Sequence, residues 1–107
     1  MTDANAARVA YRIAFVEANG YTFCEVCGRT ERPGLTTSVH HIRYISRHPK
    51  HPNIHDPRNL LLVCCDCHDA FHAGRLKEKV AELEAERGLP ELFYETKPIL
   101  FTQPTST

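Results

Sequence analysis

Cysteine and histidine are the residues of this chain whose types and spacing can hold a metal or move a proton. Four of the five cysteines fall into two pairs, Cys24-x-x-Cys27 and Cys64-x-x-Cys67. Two intervening residues let a tight turn aim both sulfurs at one ion, and zinc favours thiolate sulfur in a tetrahedral shell. Gly28, after the first pair, suits the positive φ that such a knuckle commonly needs. The pairs are far apart in the chain, so a shared ion folds the second pair back onto the first and closes the segment between them into a loop. Four thiolates leave no open coordination position, and the expected zinc is structural. An odd number of cysteines excludes complete internal disulfide pairing, and Cys65 is read as a buried spare. Redox work at one pair would call for a thioredoxin-like βαβ context, which the sequence lacks.

The chain also has seven histidines. His40 and His41 are adjacent at the end of a predicted strand, where successive side chains point to opposite faces, so different jobs are expected of them. His68 and His72 are four apart and share one face of a helix, a geometry that grips one ion from successive turns. Asn59 sits just before a second predicted strand. His48, His51 and His55, in a proline-rich loop, are read as ordinary surface or packed residues.

These residues must be positioned by a small scaffold. The chain of 107 residues is enough for one domain with a modest core, and such a core often needs a metal or disulfide staple. Residues 3–19 read as a helix, capped by Asp3 or Asn5, striped by Val9, Ile13 and Val16, and ended by Asn19-Gly20. Residues 36–42 read as a strand, 46–58 as a loop with Pro49, Pro52 and Pro57, and Leu60–Val63 as a short apolar strand. A helix begins near Cys65 or Asp66 and falters at Gly74. Another follows, marked by Leu76, Val80 and Leu83 and closed by Gly88 and Pro90. The organisation expected is one domain: a helical extension over 1–23, a core over 24–75, a helix and packing segment over 76–101, and a disordered tail over 102–107. The absence of a long apolar run and of a signal-peptide core makes a cytoplasmic chain without membrane contact the default expectation. Thirteen Lys and Arg balance thirteen Asp and Glu, so net charge does not mark a nucleic-acid binder. The distribution is less even: Arg29, Arg32, Arg43, Arg47, Lys50 and Arg58 make the middle basic, and glutamates make the part after residue 76 acidic.

Val39-His40-His41-Ile42, then Asn59-Leu60, then Cys64-Cys65-Asp66-Cys67-His68 resembles the motif of the HNH, or ββα-metal, endonucleases, in the branch that carries a four-cysteine zinc site. His68-x-x-x-His72 is similar to the metal-binding end of the bacterial colicin nucleases. The resemblance covers residues 24–72, just under half of the chain. It implies a small α+β fold: a β-hairpin with His40 and His41 on its first strand, a long loop delivering Asn59, a helix presenting His68 and His72, and flanking N- and C-terminal helices. It implies His41 as general base, with Asn59 holding the His41 loop and His68 at the catalytic metal. His40, His68 and His72 become ligands of one divalent ion, with Cys24, Cys27, Cys64 and Cys67 on structural zinc. The implied reaction is hydrolysis of a DNA phosphodiester to a 5′ phosphate and a 3′ hydroxyl. Many relatives have Asp at the His40 position and only two protein ligands, so His72 is alternatively a phosphate contact or a structural side chain. Three imidazoles favour Zn²⁺, Mn²⁺ or Ni²⁺ over the oxygen-loving Mg²⁺, which stays a candidate in the cell.

Arg43, Arg47, Lys50 and Arg58 are the expected contacts to the DNA backbone. Such contacts carry no base information, so sequence preference should be weak. Tyr44, with Ile42 and Ile45, is read as hairpin core. The competing readings are a non-catalytic zinc module that binds nucleic acid or protein, and a nuclease subunit of a phage packaging or restriction complex. Monomer and dimer both stay open.

Overall fold

The computed structural model describes residues 4–94, in the order helix, hairpin, helix, helix, helix. The proposed cap Asp3 and the expected tail over 102–107 lie outside the described residues.

Strand β1 (Thr37–His41) pairs antiparallel with β2 (Leu60–Cys64), in a register that sets His40 opposite Leu61 and His41 opposite Leu60. Every residue of β2 is buried, because the small sheet is covered on both faces. Side-chain alternation divides the strand between two cores. Leu60 and Leu62 join Val39 and Ala7 on one face, with Tyr11 and Phe15 packed against them. Leu61 and Val63 join Phe71, Leu83, Leu89 and Phe93 on the other.

The first face is roofed by α1 (Ala4–Asn19). The expected stripe of Val9, Ile13 and Val16 is corrected here: these residues are 52%, 54% and 40% exposed. The helix instead turns Ala7, Tyr11 and Phe15 inward. Both sets have helical spacing, so periodicity alone does not choose between them. Partners do. Small Ala7 allows close approach to the sheet, the Tyr11 hydroxyl donates to Glu25 Oε2 at 2.7 Å, and Phe15 meets Phe23 edge-on at 4.9 Å.

The second face is covered by α2 (Cys65–His72), α3 (Lys77–Glu86) and α4 (Leu89–Leu92). Gly88, at φ 66°, breaks the chain between α3 and α4 in a conformation that L side chains rarely adopt. Pro90 does not close a helix as expected. It occupies the first turn of α4, where its missing N–H would have no helical partner anyway.

The edge of β2 that does not pair with β1 is occupied by Glu25, inside the first cysteine pair. Glu25 N–H donates to Leu62 O and Leu62 N–H donates to the Glu25 carboxylate, both at 2.8 Å. Arg87 then bridges Glu25 Oε1, at 3.2 Å, and the carbonyl of Leu60. One carboxylate thus ties the first knuckle to the sheet, to α1 and to the end of α3.

Leu62→Ala should cost about 2–5 kcal/mol of stability, from lost burial and a partly collapsed cavity. Ile13→Ser should change stability by less than about 0.5 kcal/mol. Denaturant titrations giving the reverse order would contradict the placement of α1.

Candidate functional site

The two cysteine pairs meet at the end of the hairpin. Cys24 and Cys27 sit on a turn closed by Gly28 N–H donating to Cys24 O at 2.9 Å, with Gly28 at φ 82°. Backbone N–H groups of Val26 and Cys27 point at Cys24 Sγ, each at 3.4 Å. Cys64 ends β2 and Cys67 lies in the first turn of α2. The four sulfurs lie within 4.8 Å of one another. Cys27 Sγ and Cys64 Sγ are 3.7 Å apart, close to the edge of about 3.8 Å expected for a tetrahedron with metal–sulfur bonds of about 2.3 Å. The donor set and its spacing fit a tetrahedral ion. Burial works against the Cys27 thiolate, but the Arg29 N–H groups reach its sulfur and bring it down to about 6. Burial pushes Cys64 and Cys67 the other way, so an ion entering here displaces protons from them. Arg29 was legible in the sequence only as one basic residue among several. Its contact with two ligand sulfurs, at 3.2 and 3.4 Å, depends on the fold. Cys65 stands outside this cluster and is half-buried.

A second cluster forms on the α2 face of the sheet. His40 faces α2, and its ring lies 5.2 Å from His68 and 5.1 Å from His72. The three imidazoles present nitrogens within 4.8 Å of one another. His68 Nε2 and His72 Nε2 are 3.3 Å apart, the edge of about 3.3 Å expected for metal–nitrogen bonds of about 2.0–2.1 Å. His40 Nε2 is buried with no hydrogen-bond partner among the described residues, which costs about 1–3 kcal/mol unless an ion takes its lone pair. The three residues fit one metal ion. Burial and the neighbouring imidazoles push His40 down to about 4, so it stays neutral and able to donate that lone pair near pH 7. Tyr44, expected in the hairpin core, is half-buried and lies against His40 and His72, with ring centroids at 5.6 and 5.7 Å. It forms part of the wall around the imidazoles.

His41 turns to the opposite, α1 face, as alternation requires, beside His40 in the chain. Its Nε2 lies 3.0 Å from His55 Nδ1. Burial, with Arg8 and His55 nearby, pushes His41 down to about 4. His55 is one of the loop histidines expected to be ordinary surface or packed residues. Nothing in its local sequence signals the contact, because a loop brings it there from fourteen residues away.

Asn59 is fully buried and holds that loop. Its Oδ1 accepts from Arg43 N–H at 2.8 Å, and its Nδ2 donates to Arg43 O at 3.1 Å and to Ile54 O at 2.9 Å. The side chain thereby links the exit of β1, just after His41, to the backbone just before His55.

The basic residues separate. Arg43 is buried against expectation: its guanidinium pairs with Glu84 at 3.2 Å and lies 5.1 Å over the Phe93 ring. Those partners take the charge inside the protein, so its expected contact with a DNA backbone is corrected. Arg47 and Lys50 are exposed, with Arg47 5.8 Å from the Tyr44 ring centre. Arg58 is exposed and braced by Asp56 at 3.0 Å.

A family model described as HNH endonuclease matches residues 24–76. No curated protein and no solved structure gives a significant match to the chain.

Asn59→Ala should lower stability by at least about 2 kcal/mol, because buried groups of Arg43 and Ile54 lose their partners together. Denaturant unfolding reads this directly. A neutral result would contradict the anchoring role.

Proposed function

Residues 24–76 belong to the HNH endonuclease family, and from that premise we propose that the chain is a metal-dependent endonuclease acting on DNA. The observation that carries the reading is the juxtaposition at the end of β1. An uncharged imidazole, His41, adjoins a three-imidazole cluster whose spacing and orphaned His40 nitrogen suit an ion.

His41 is the general base. When His41 Nε2–H donates to His55 Nδ1, the lone pair of His41 is on Nδ1, where it can take a proton from an attacking water. Its depressed basicity keeps it unprotonated at neutral pH before substrate arrives. His40, His68 and His72 would hold a divalent ion, and such an ion, when bound, would supply electrostatic stabilisation of the charge that develops during phosphodiester hydrolysis. Asn59 keeps the His41 and His55 segments in fixed relation. Cys24, Cys27, Cys64 and Cys67 hold structural zinc, chosen over other ions by the four-sulfur set. Arg47, Lys50 and Arg58 contact the DNA backbone, which positions the duplex with weak sequence preference.

A plasmid-nicking assay with added Mn²⁺ or Mg²⁺ tests the reading. Wild type should cut. His41→Ala should lose about 10²–10⁴-fold in rate while keeping its fold and its metal. Wild type inert on duplex and single-stranded DNA, or a fully active variant, would overturn it and favour a non-catalytic module.

A further inference from the structure

Beside the three-imidazole cluster, the segment after β1 faces the turn after α2 and the helix α3 across a cavity of about 450 Å³. Small-molecule sites commonly measure roughly 300–1,000 Å³. Ile42, Phe71, Leu76 and Val80 give this cavity an apolar lining. It shares two walls with the imidazoles. The Phe71 ring lies 4.8 Å from that of His40, and the Tyr44 ring lies 5.7 Å from that of His72. Its α3 wall, with Lys77, Val80 and Glu84, lies outside the segment matched by the HNH model.

We propose that this cavity binds the nucleoside next to the scissile phosphodiester, with its base among the apolar side chains and its flanking phosphate on Arg47 and Lys77. This rests on the nuclease reading above and deepens it: the substrate is an unstacked nucleotide, not a bare phosphate backbone.

The charges that line the cavity do not cancel. Arg43, Arg47 and Lys77 stand against one carboxylate, Glu84. Arg43 takes that carboxylate, through Nε to Oε2 at 3.3 Å and Nη2 to Oε1 at 3.2 Å. Arg47 and Lys77 are exposed and, among the described residues, enter no ion pair. Both are held at the cavity. Arg47 stands 5.8 Å from the centre of the Tyr44 ring. The Lys77 side chain folds back over the turn, with its Cε 3.6 Å from the place that a Cβ on Gly74 would occupy. An apolar lining with two uncommitted cations suits a ligand that joins a flat, weakly polar ring system to an anion. A nucleotide is such a ligand, and the neighbouring imidazoles place it beside the bond to be cut. Its base reaches a cavity only when turned out of the stack.

Small chromogenic diesters test the cavity. Methyl 4-nitrophenyl phosphate carries the reacting group alone. Thymidine 3′-phosphate 5′-(4-nitrophenyl phosphate) and its isomer with the two groups exchanged add a base and a flanking phosphate on either side. In each, water adds to phosphorus and 4-nitrophenolate leaves. At least one nucleotide ester should exceed the methyl ester in kcat/KM by about five- to a hundredfold, the range that a stacked base contributes. Lys77→Glu, at an exposed position, should cut that ratio about tenfold, and Lys77→Arg should keep it. Val80→Trp, which fills the cavity, should also bring the ratio toward one. Equal rates on all three esters, or a full ratio in both Lys77→Glu and Val80→Trp, overturns the proposal. A binding arm does not depend on cleavage. Thymidine 3′,5′-bisphosphate should shift the backbone amide NMR signals of Leu76, Lys77 and Val80 more strongly than inorganic phosphate does. If wild type cuts no ester, the nuclease reading fails, and the binding arm still decides the cavity: stronger shifts with the nucleotide support it, and equal shifts or none overturn it.

Discussion

The convergence of four sulfurs from two distant turns is the constraint on which the rest of this structure depends. Cys24 and Cys27 come from a knuckle before the hairpin, and Cys64 and Cys67 from the junction of its second strand with α2. Holding them together closes a long loop, and a chain this small has little apolar burial to spare for that entropy. An ion held by the four sulfurs would supply the missing free energy and couple its binding to folding, since the site does not exist in the extended chain. The residues around the sulfurs share the task. Arg29 favours the Cys27 thiolate, and Glu25, between the first two cysteines, joins the edge of β2 and accepts from Tyr11 and Arg87.

Once the loop is closed, simple periodicities arrange the imidazoles. The period of two along β1 sends His40 toward α2 and His41 toward α1. The four-residue spacing of His68 and His72 stacks them on one side of α2, facing His40. Because Cys67 immediately precedes His68, the turn of α2 that anchors the sulfur cluster also begins the imidazole cluster. Asn59 fixes the remaining freedom by joining the end of the strand to the loop that carries His55. The proposed base and the proposed metal ligands therefore occupy two faces of one strand end, and a phosphodiester lying across that end would meet both.

Local and periodic features were legible in the sequence. The cysteine pairs, the two strands, the helix after Cys64 and the shared face of His68 and His72 follow from spacing, whereas the pairing of the strands into a hairpin and the addition of His40 to that pair come from the resemblance to the HNH motif. Features that depend on which of several similar partners wins were not. On α1, two apolar sets have helical spacing, and tertiary contacts of Tyr11 and Phe15 choose between them. Arg43 looks like any loop arginine until Glu84, forty-one residues away, and Phe93 come to meet it. His55 gains its interest only from His41, which the fold brings close. Glu25 was invisible as a hub, because a carboxylate inside a knuckle has no sequence signature for pairing with a strand edge.

X-ray absorption at the zinc edge, on protein reconstituted first with one and then with two equivalents, tests the central claim most directly. The first equivalent should show a shell of four sulfurs at about 2.3 Å, and the second should add nitrogen scatterers at about 2.0 Å. A first equivalent bound mainly by nitrogen, or protein that saturates after one ion, would contradict a scaffold fastened by sulfur beside a separate three-imidazole site.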